Sequence, residues 1–310
     1  MMSKPLRIAI IGLGKIAVDQ HLPTIAAHDD LALVATVSQR TGLPGTPNFK
    51  SVEAAVAGCS DIDAFVLCTP PQGRYAIAKA ALLSGRHVFL EKPPAATLAD
   101  VFALTELAKV NGVSLFASWH SRYAAAVDAA RQWLVDKKVL NAEITWKEDV
   151  RRWHPGQDWI FAAGGMGVFD PGINALSIAT HILPTTFALT EGSIRVPKNR
   201  QAPIAASLRF ALASGSTLNA EFDFLQQGPQ RWDIRVETDH GVLVLRDGAA
   251  VGEIDGTPLA VQPASEYAGL YRRFAELVGQ RTSDVDVRPF VHVADAFMLA
   301  TRHEAEAFHW

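Results

Sequence analysis

Three short stretches of this chain carry residue types whose spacing suits chemistry. The first is Gly12-Leu13-Gly14-Lys15-Ile16-Ala17, a G-x-G-x-x-A pattern placed directly after the apolar run Ile8 to Ile11. Its first glycine permits a tight turn, its second lets the backbone approach a pyrophosphate, and Ala17 allows close helix packing. The amides around Lys15 and Ile16 then open a helix whose N-terminus favours phosphate. A purely structural glycine turn has the same composition, and the position after a first strand is what selects dinucleotide binding. The second stretch is Val37-Ser38-Gln39-Arg40, where an NAD enzyme usually places a carboxylate for the ribose 2′-OH. No carboxylate is there. Ser38 can donate to a 2′-phosphate and Arg40 can pair with it or stack on adenine, with Gln39 between them, so NADP is expected to be accepted and preferred, with NAD also used. The alternative is that Arg40 is a solvated surface residue. The third stretch, Glu91-Lys92-Pro93-Pro94, puts a lysine at the carboxyl end of a parallel strand, the edge where such sheets bind ligands. The X-Pro bond there can be cis, a shape that would fix the direction of the lysine. Taken alone, Glu-Lys before proline reads as a solvated turn.

The elements that must position these residues follow from periodicity. The runs Leu6-Ile11, Ala32-Val37, Ala64-Cys68, His87-Glu91 and Ser114-Ala117 read as strands alternating with helical segments, the signature of βαβ units. This half is an α/β, doubly wound parallel sheet of the Rossmann type, over residues 1–122. After a helix near Ala124-Val135, long polar/apolar alternation begins at Ala142-Val150, Phe187-Val196, Ile204-Phe210, Leu218-Phe224, Trp232-Val236 and Val242-Leu245. Residues 123–310 are therefore expected to form an α+β domain with a large, mostly antiparallel open sheet. Helices around Tyr267-Val278 and Pro289-Phe308 close the chain, and these C-terminal helices can pack back on the first domain.

Composition narrows the classes. A chain of 310 residues with 49% hydrophobic residues buries a core more comfortably as two domains. Its formal net charge of −3, with acids and bases interleaved, favours neither nucleic acid nor an anionic membrane as a partner. The short apolar stretch from Ile8 to Leu13 is unlike an export signal or a span, so a cytoplasmic protein is expected. Cys59 and Cys68 are the only cysteines and build neither a disulfide framework nor a metal site; they are expected to be buried small residues. No metal is called for.

The glycine motif, Cys68-Thr69-Pro70-Pro71, the Glu91-Lys92-Pro93 turn and the alternating second half together resemble the glucose-fructose oxidoreductase/inositol dehydrogenase (Gfo/Idh/MocA) family over the whole chain. Within it, the likeness is closer to the bacterial D-galactose and L-arabinose 1-dehydrogenases. It is carried by Thr69 to Tyr75, Trp146 to Gln157, Gly167 to Ser177 and Ser283 to Val287. The resemblance implies an enzyme that oxidises the C1 hydroxyl of an aldopyranose of the L-arabinose, D-galactose or D-fucose type to its lactone. It also implies cofactor contacts from Cys68, Thr69, Pro70, Pro71, Glu91 and Lys92. In the wider family a lysine, an aspartate and a histidine one helical turn later surround the reacting carbinol, and these map to Lys92, Asp170 and Asn174. Asn cannot take a proton as His can, which leaves the general base open. Asp170-Pro171 also reads as a helix N-cap followed by a first-turn proline.

Recognition of a sugar needs polar groups for hydroxyls and an apolar plate for the ring. Glu148, Trp153 and His154 fit that description after a strand of the second domain, and the resemblance extends it to His120. Arg151 and Arg152 read as a solvated loop. Two alternatives stay open: a dehydrogenase acting on an inositol or another ring position, and a sensor that binds dinucleotide without turnover. A homodimer is expected, because an uncovered sheet face would leave an apolar patch.

Overall fold

A computed structural model describes residues 4–310 and divides them between two compact units. One comprises the chain up to Trp119 together with Tyr267–Asp286. The other comprises His120–Glu266 with Val287–Trp310.

In the first unit, β1 (Leu6–Ile11), β2 (Leu31–Val37), β3 (Asn48–Phe49), β4 (Ala64–Leu67), β5 (His87–Leu90) and β6 (Leu115–Ala117) form one sheet in the order β3-β2-β1-β4-β5-β6. Every pairing in it is parallel. All of β4 is buried, as expected for a strand covered on both faces. A helical run starts at Lys15, passes through a π-type turn, Ala17–His21, and continues as α1 (Leu22–Ala26). Then come α2 (Val52–Gly58), α3 (Arg74–Leu83) and α4 (Leu98–Val110); Ser51 and Thr97 cap α2 and α4 by accepting from Ala54 and Asp100 amides.

Most of α8 (Glu266–Gln280) also belongs to this unit. Its residues Tyr271 and Phe274 pack on Phe89 of β5, and Phe274 also stacks on Phe116 of β6. The segment after α8 adds to the sheet edge, where Ala117 donates its amide to the Asp284 carbonyl at 3.0 Å and Asp284 donates to Leu115 at 3.0 Å. Trp119 Nε1 donates to the Asp286 carbonyl at 2.9 Å, which gives the Ser283-to-Val287 stretch its structural role.

The second unit is built on nine strands: β7 (Val139–Lys147), β8 (Phe187–Pro197), β9 (Ala205–Leu212), β10 (Thr217–Asp223), β11 (Arg231–Thr238), β12 (Gly241–Arg246), β13 (Val251–Ile254), β14 (Thr257–Pro258) and β15 (Thr301–Ala305). They lie in the order β14-β13-β12-β11-β7-β10-β9-β8-β15. The sheet is mostly antiparallel, with two parallel pairs, β7 with β10 and β8 with β15. Its helices are α5 (Val127–Leu134), α6 (Val150–Trp153), α7 (Phe169–Ile182) and α9 (Arg288–Leu299). Leu218, Ala220 and Phe222 of β10, with Ala206, Leu208 and Phe210 of β9, are buried on one face. There α7 approaches so closely that a Cβ on Gly172 would fall 2.8 Å from the Phe222 ring.

Four expectations change. The last helix ends at Leu299 rather than Phe308, and Thr301–Ala305 is an edge strand hydrogen-bonded to β8. The uncovered sheet face is not an apolar patch: the register aligns Arg209, Asn219, Glu143 and Arg235 across neighbouring strands, beside Ser207, Glu221, Thr145 and Asp233. Cys59 and Cys68 are half-buried rather than buried. Asp170 is not a cap, because α7 begins at Phe169 after Val168 and carries no side-chain cap.

The Phe274 side chain of α8 is fully buried against β5 and β6. Phe274→Ala is expected to cost about 3–5 kcal/mol of stability, read from urea unfolding.

Candidate functional site

The carboxyl ends of the parallel strands gather the first set of residues. The Gly12 amide donates to the Val37 carbonyl at 3.0 Å, with φ at +90°. A Cβ there would sit 3.0 Å from Thr69 Cγ2 and 3.2 Å from the backbone of Cys68 and Thr69, so only glycine fits comfortably. At Gly14 a Cβ would meet nothing within 4 Å, which leaves the backbone open to a close-approaching group. Lys15 pairs with Asp19 one turn on, and Ile16 is half-buried. Thr69 Oγ1 and Ser118 Oγ, which follow β4 and β6, are buried with no hydrogen-bond partner among the described residues. Open backbone at the second glycine and unsatisfied hydroxyls on the same strand edge fit a polar, phosphate-bearing cofactor. Pro70 is exposed and Pro71 buried, opening the turn into α3.

The loop after β2 is tied down more firmly than its sequence suggests. Lys50 Nζ donates to the carbonyls of Ser38, Gln39 and Arg40 at 3.0, 3.1 and 3.3 Å, and Asn48 Nδ2 donates to those of Ser38 and Arg40. Ser38 Oγ accepts the Arg40 amide at 3.1 Å, and Gln39 Nε2 donates to the Lys50 carbonyl at 2.7 Å. Arg40 itself is exposed.

Lys92 follows β5, half-buried, and its peptide bond to Pro93 is cis. The buried guanidinium of Arg74 donates to the carbonyls of Glu91, Pro93 and Thr69, gripping the turn from both sides of the lysine. Glu91 points inward. It is 3% exposed, with Oε1 accepting from Tyr267 Oη at 3.1 Å and lying 3.0 Å from His21 Nε2, and with Oε2 accepting the Lys92 amide at 3.0 Å. His21 Nδ1 lies 2.8 Å from Tyr271 Oη. Burial pulls the His21 pKa down, but the charge and hydrogen-bonding effects of the Cys68 and Glu91 side chains outweigh it and raise the imidazole to about 10. Burial pushes the Tyr271 hydroxyl well above its usual value, with Cys68 and Glu91 adding to it.

The second unit carries its own cluster. Glu148 follows β7, held by its amide on the Asp223 carbonyl at 2.9 Å, and Asp149 then caps α6 by accepting the Arg151 amide at 2.9 Å. The short α6 delivers Trp153, and His154 follows it. His154 Nε2 stands 3.5 Å from Glu148 Oε1 and 3.8 Å from Asp170 Oδ2, so one imidazole bridges two buried carboxylates from different elements. Asn174 lies one turn after Asp170 on α7 and is half-buried.

Three half-buried or buried indoles line the same region. Trp232 pairs with Trp146 across β11 and β7, its ring 5.2 Å from that of Trp153, and its Nε1 donates to Glu148 Oε2 at 2.9 Å. Gln230 Oε1 accepts from both Trp153 Nε1 and the Asp149 amide, at 2.9 and 3.1 Å. Arg151 is not simply solvated: its guanidinium lies over the Phe308 ring and donates to the His309 carbonyl, while Arg152 lies over Trp153.

The structure thus brings Glu148, Trp153, His154 and Asp170 together. It gives His120 a different neighbour, Glu266 Oε2 at 2.5 Å from its Nδ1. Sequence reasoning missed Trp232, Gln230, Arg74, His21 and Lys50; of these, only Arg74 lay inside a stretch already singled out by resemblance. Among the described residues no group of histidines, cysteines and carboxylates is arranged to hold a metal ion, and no helix is long and apolar enough to cross a membrane.

Comparison with known proteins gives concordant results. A family model described as an oxidoreductase family with an NAD-binding Rossmann fold matches residues 6–118. The chain is 44% identical over 308 residues to a galactose 1-dehydrogenase of Pseudomonas fluorescens, covering 99% of each. It superposes on the crystal structure of a D-galactose-1-dehydrogenase from Rhizobium etli with a TM-score of 0.96 and 52% identity, covering 100% of this chain and 99% of that one. A 3-ketoreductase from Actinomadura kijaniata, solved with NADP and TDP-benzene, aligns at 18% identity and TM-score 0.83 over 97% of this chain and 100% of that one, a likeness of fold alone.

The raised His21 pKa makes stability depend on pH. A folded-state value near 10 against an ordinary 6.5 means that the native protein holds the extra proton between those limits, so this stabilisation is full below about pH 6.5 and lost as pH rises through 10. The stability difference between wild type and His21→Gln, from urea unfolding at a series of pH values, is expected to be largest near pH 6 and to shrink steadily toward pH 10.

Proposed function

This chain belongs to the Gfo/Idh/MocA oxidoreductase family, and we propose that it oxidises the C1 hydroxyl of an aldopyranose of the D-galactose, L-arabinose or D-fucose type to the lactone, using NADP or NAD. The observation that carries this reading is the Glu148, His154 and Asp170 cluster beside Trp153 and Trp232. Buried carboxylates and an imidazole offer acceptors and donors for sugar hydroxyls, and the indoles offer a plate for the ring's C–H face. The full-length likeness to a galactose 1-dehydrogenase supports the same substrate class.

The bound nicotinamide would supply the acceptor for the hydride that leaves C1. Lys92 donates a hydrogen bond to the C1 oxygen and stabilises the negative charge growing there. Asp170 takes the hydroxyl proton, directly or through Lys92, and Asn174 orients the hydroxyl without titrating. Glu148, Trp153 and His154 bind the remaining hydroxyls and the ring, and His120 adds a further polar contact. On the cofactor side, Gly12, Gly14, Lys15 and Ile16 would hold the pyrophosphate, and Cys68, Thr69, Pro70, Pro71 and Lys92 would hold the remainder of the dinucleotide. Glu91 serves that side from behind the lysine.

Ser38, Gln39 and Arg40 would hold the adenosine ribose and would favour NADP. The support for this is the absence of a carboxylate on that loop and the presence of a second cation, Lys50, bonded to all three of its carbonyls. The protein is further proposed to be a cytoplasmic homodimer. The uncovered sheet face, with arginines and carboxylates in register, suits pairing with a second copy through complementary charge.

Initial rates of NADP and NAD reduction with D-galactose, L-arabinose, D-fucose, D-xylose, D-glucose and myo-inositol test the reading, with turnover expected for the first three. Lys92→Ala and Asp170→Ala are each expected to lower kcat by roughly 10²–10⁴-fold, the usual worth of a positioned acid/base group. Near-normal turnover in either variant would refute that assignment. Arg40→Ala is expected to lower the NADP-to-NAD ratio of kcat/KM by about 10-fold or more, since a charge-assisted hydrogen bond is worth about 1.5–3 kcal/mol.

A further inference from the structure

We propose that His21 is a positioning residue for Lys92, acting through Glu91, and that the buried ion pair of His21 and Glu91 holds the lysine in its reactive direction. The inference rests on the dehydrogenase reading above and concerns residues to which that reading gives no chemical step.

The pair is buried: His21 is 0% and Glu91 3% exposed. Taking both charges out of water is expensive, and apolar residues of similar size would commonly serve stability as well or better. A pair kept at that cost needs a use. The geometry supplies one, because the two carboxylate oxygens of Glu91 face different ways. Oε1 meets His21 Nε2 and the Tyr267 hydroxyl, which together fix the carboxylate. Oε2 accepts the backbone amide of Lys92 at 3.0 Å. The Arg74 guanidinium holds the carbonyls on either side, those of Glu91 and Pro93. The backbone at Lys92 is thereby held on its N–H side by an anion and on its flanking carbonyls by a cation.

His21 is fixed in turn. Its Nδ1 is 2.8 Å from the Tyr271 hydroxyl, and its ring makes edge contacts with Phe89, Tyr267 and Tyr271 at centroid distances of 5.5, 5.0 and 5.7 Å. Both ring nitrogens have partners, so the imidazole has one orientation. Cys68, at the end of β4, also faces it. The elements that meet here are the glycine-loop helix, the ends of β4 and β5, and α8. A buried hydrogen-bonded network rigidifies what it touches, and the first group this one touches outside itself is the Lys92 amide. Loss of orientation in a reacting group can cost about 100-fold in rate without weakening binding.

The test compares His21→Gln and Tyr271→Phe with wild type, each first shown folded by thermal unfolding; Tyr271→Phe removes one oxygen and serves if the other variant does not fold. With D-galactose, kcat is expected to fall about 10–100-fold in His21→Gln and less in Tyr271→Phe, while sugar KM and the NADPH Kd from fluorescence stay within about threefold. The deuterium isotope effect on kcat with C1-deuterated galactose is expected to rise, since hydride departure becomes slower. Unchanged kcat, or a fall matched by weaker NADPH binding, overturns the proposal. Amide hydrogen exchange of the peptide spanning 88–96 decides the matter independently of turnover. It is expected to quicken around Lys92 in the variants, and unaltered exchange overturns the proposal. If wild-type protein oxidises none of the sugars, the dehydrogenase reading fails, and the exchange measurement still judges whether His21 orders Lys92.

Discussion

Burying the Glu91 carboxylate at the end of β5 sets the terms for much of what surrounds it. A carboxylate without water needs hydrogen-bond donors on both oxygens and a compensating charge, and no single element can supply them. The helix after the glycine loop contributes His21, α8 contributes Tyr267, and the chain itself contributes the Lys92 amide. This requirement gives a reason for the return of α8 to the first unit after an excursion of well over a hundred residues through the second. Its aromatic face, Tyr267, Tyr271 and Phe274, both seals the end of the sheet and furnishes the hydroxyls that the buried pair needs.

Solutions of the same kind recur in the second unit with different parts. There Glu148 is desolvated beside His154 and Trp232, and Asp170 is desolvated inside the first turn of α7, where the helix dipole favours an anion. The two units differ in what they carry. The first carries an open glycine, unpartnered hydroxyls on the strand edge and a lysine whose backbone is held. The second carries a cluster of carboxylates, imidazole and indoles in mutual contact.

What could be read in the sequence was what depends on neighbours along the chain. The strand Leu6–Ile11, the turn at Gly12 and the alternation in β9 and β10 are local patterns, and the structure has them where the pattern puts them. The Thr301–Ala305 strand was not legible, because Thr-Arg-His-Glu-Ala has no alternation of apolar residues and gains its shape from β8. Asp170-Pro171 mimics a cap followed by a first-turn proline, yet the helix starts earlier, at Phe169, where Gly167 and Val168 close the turn. The site divides in the same way. Glu148, Trp153 and His154 lie close together in sequence and could be grouped, whereas Trp232 joins them only through strand pairing. His21 meets Glu91 across 70 positions and Tyr271 across 250, a distance over which no spacing rule operates.

The π-type turn at Ala17–His21 ties two ends of one short helix to separate tasks. Its start must present amides next to Gly14, and its last residue must deliver an imidazole to Glu91. Each residue added to or removed from an α-helix turns everything beyond it by about 100°. The number of residues between Gly14 and His21 is therefore a fixed length in this chain, although most of the side chains there are exposed. A single-residue insertion or deletion that the wide turn does not absorb would look harmless on the surface, yet it would swing the imidazole out of phase with its carboxylate. Insertions and deletions should accordingly be tolerated far less here than substitutions, a constraint on the length of the gene rather than on its letters.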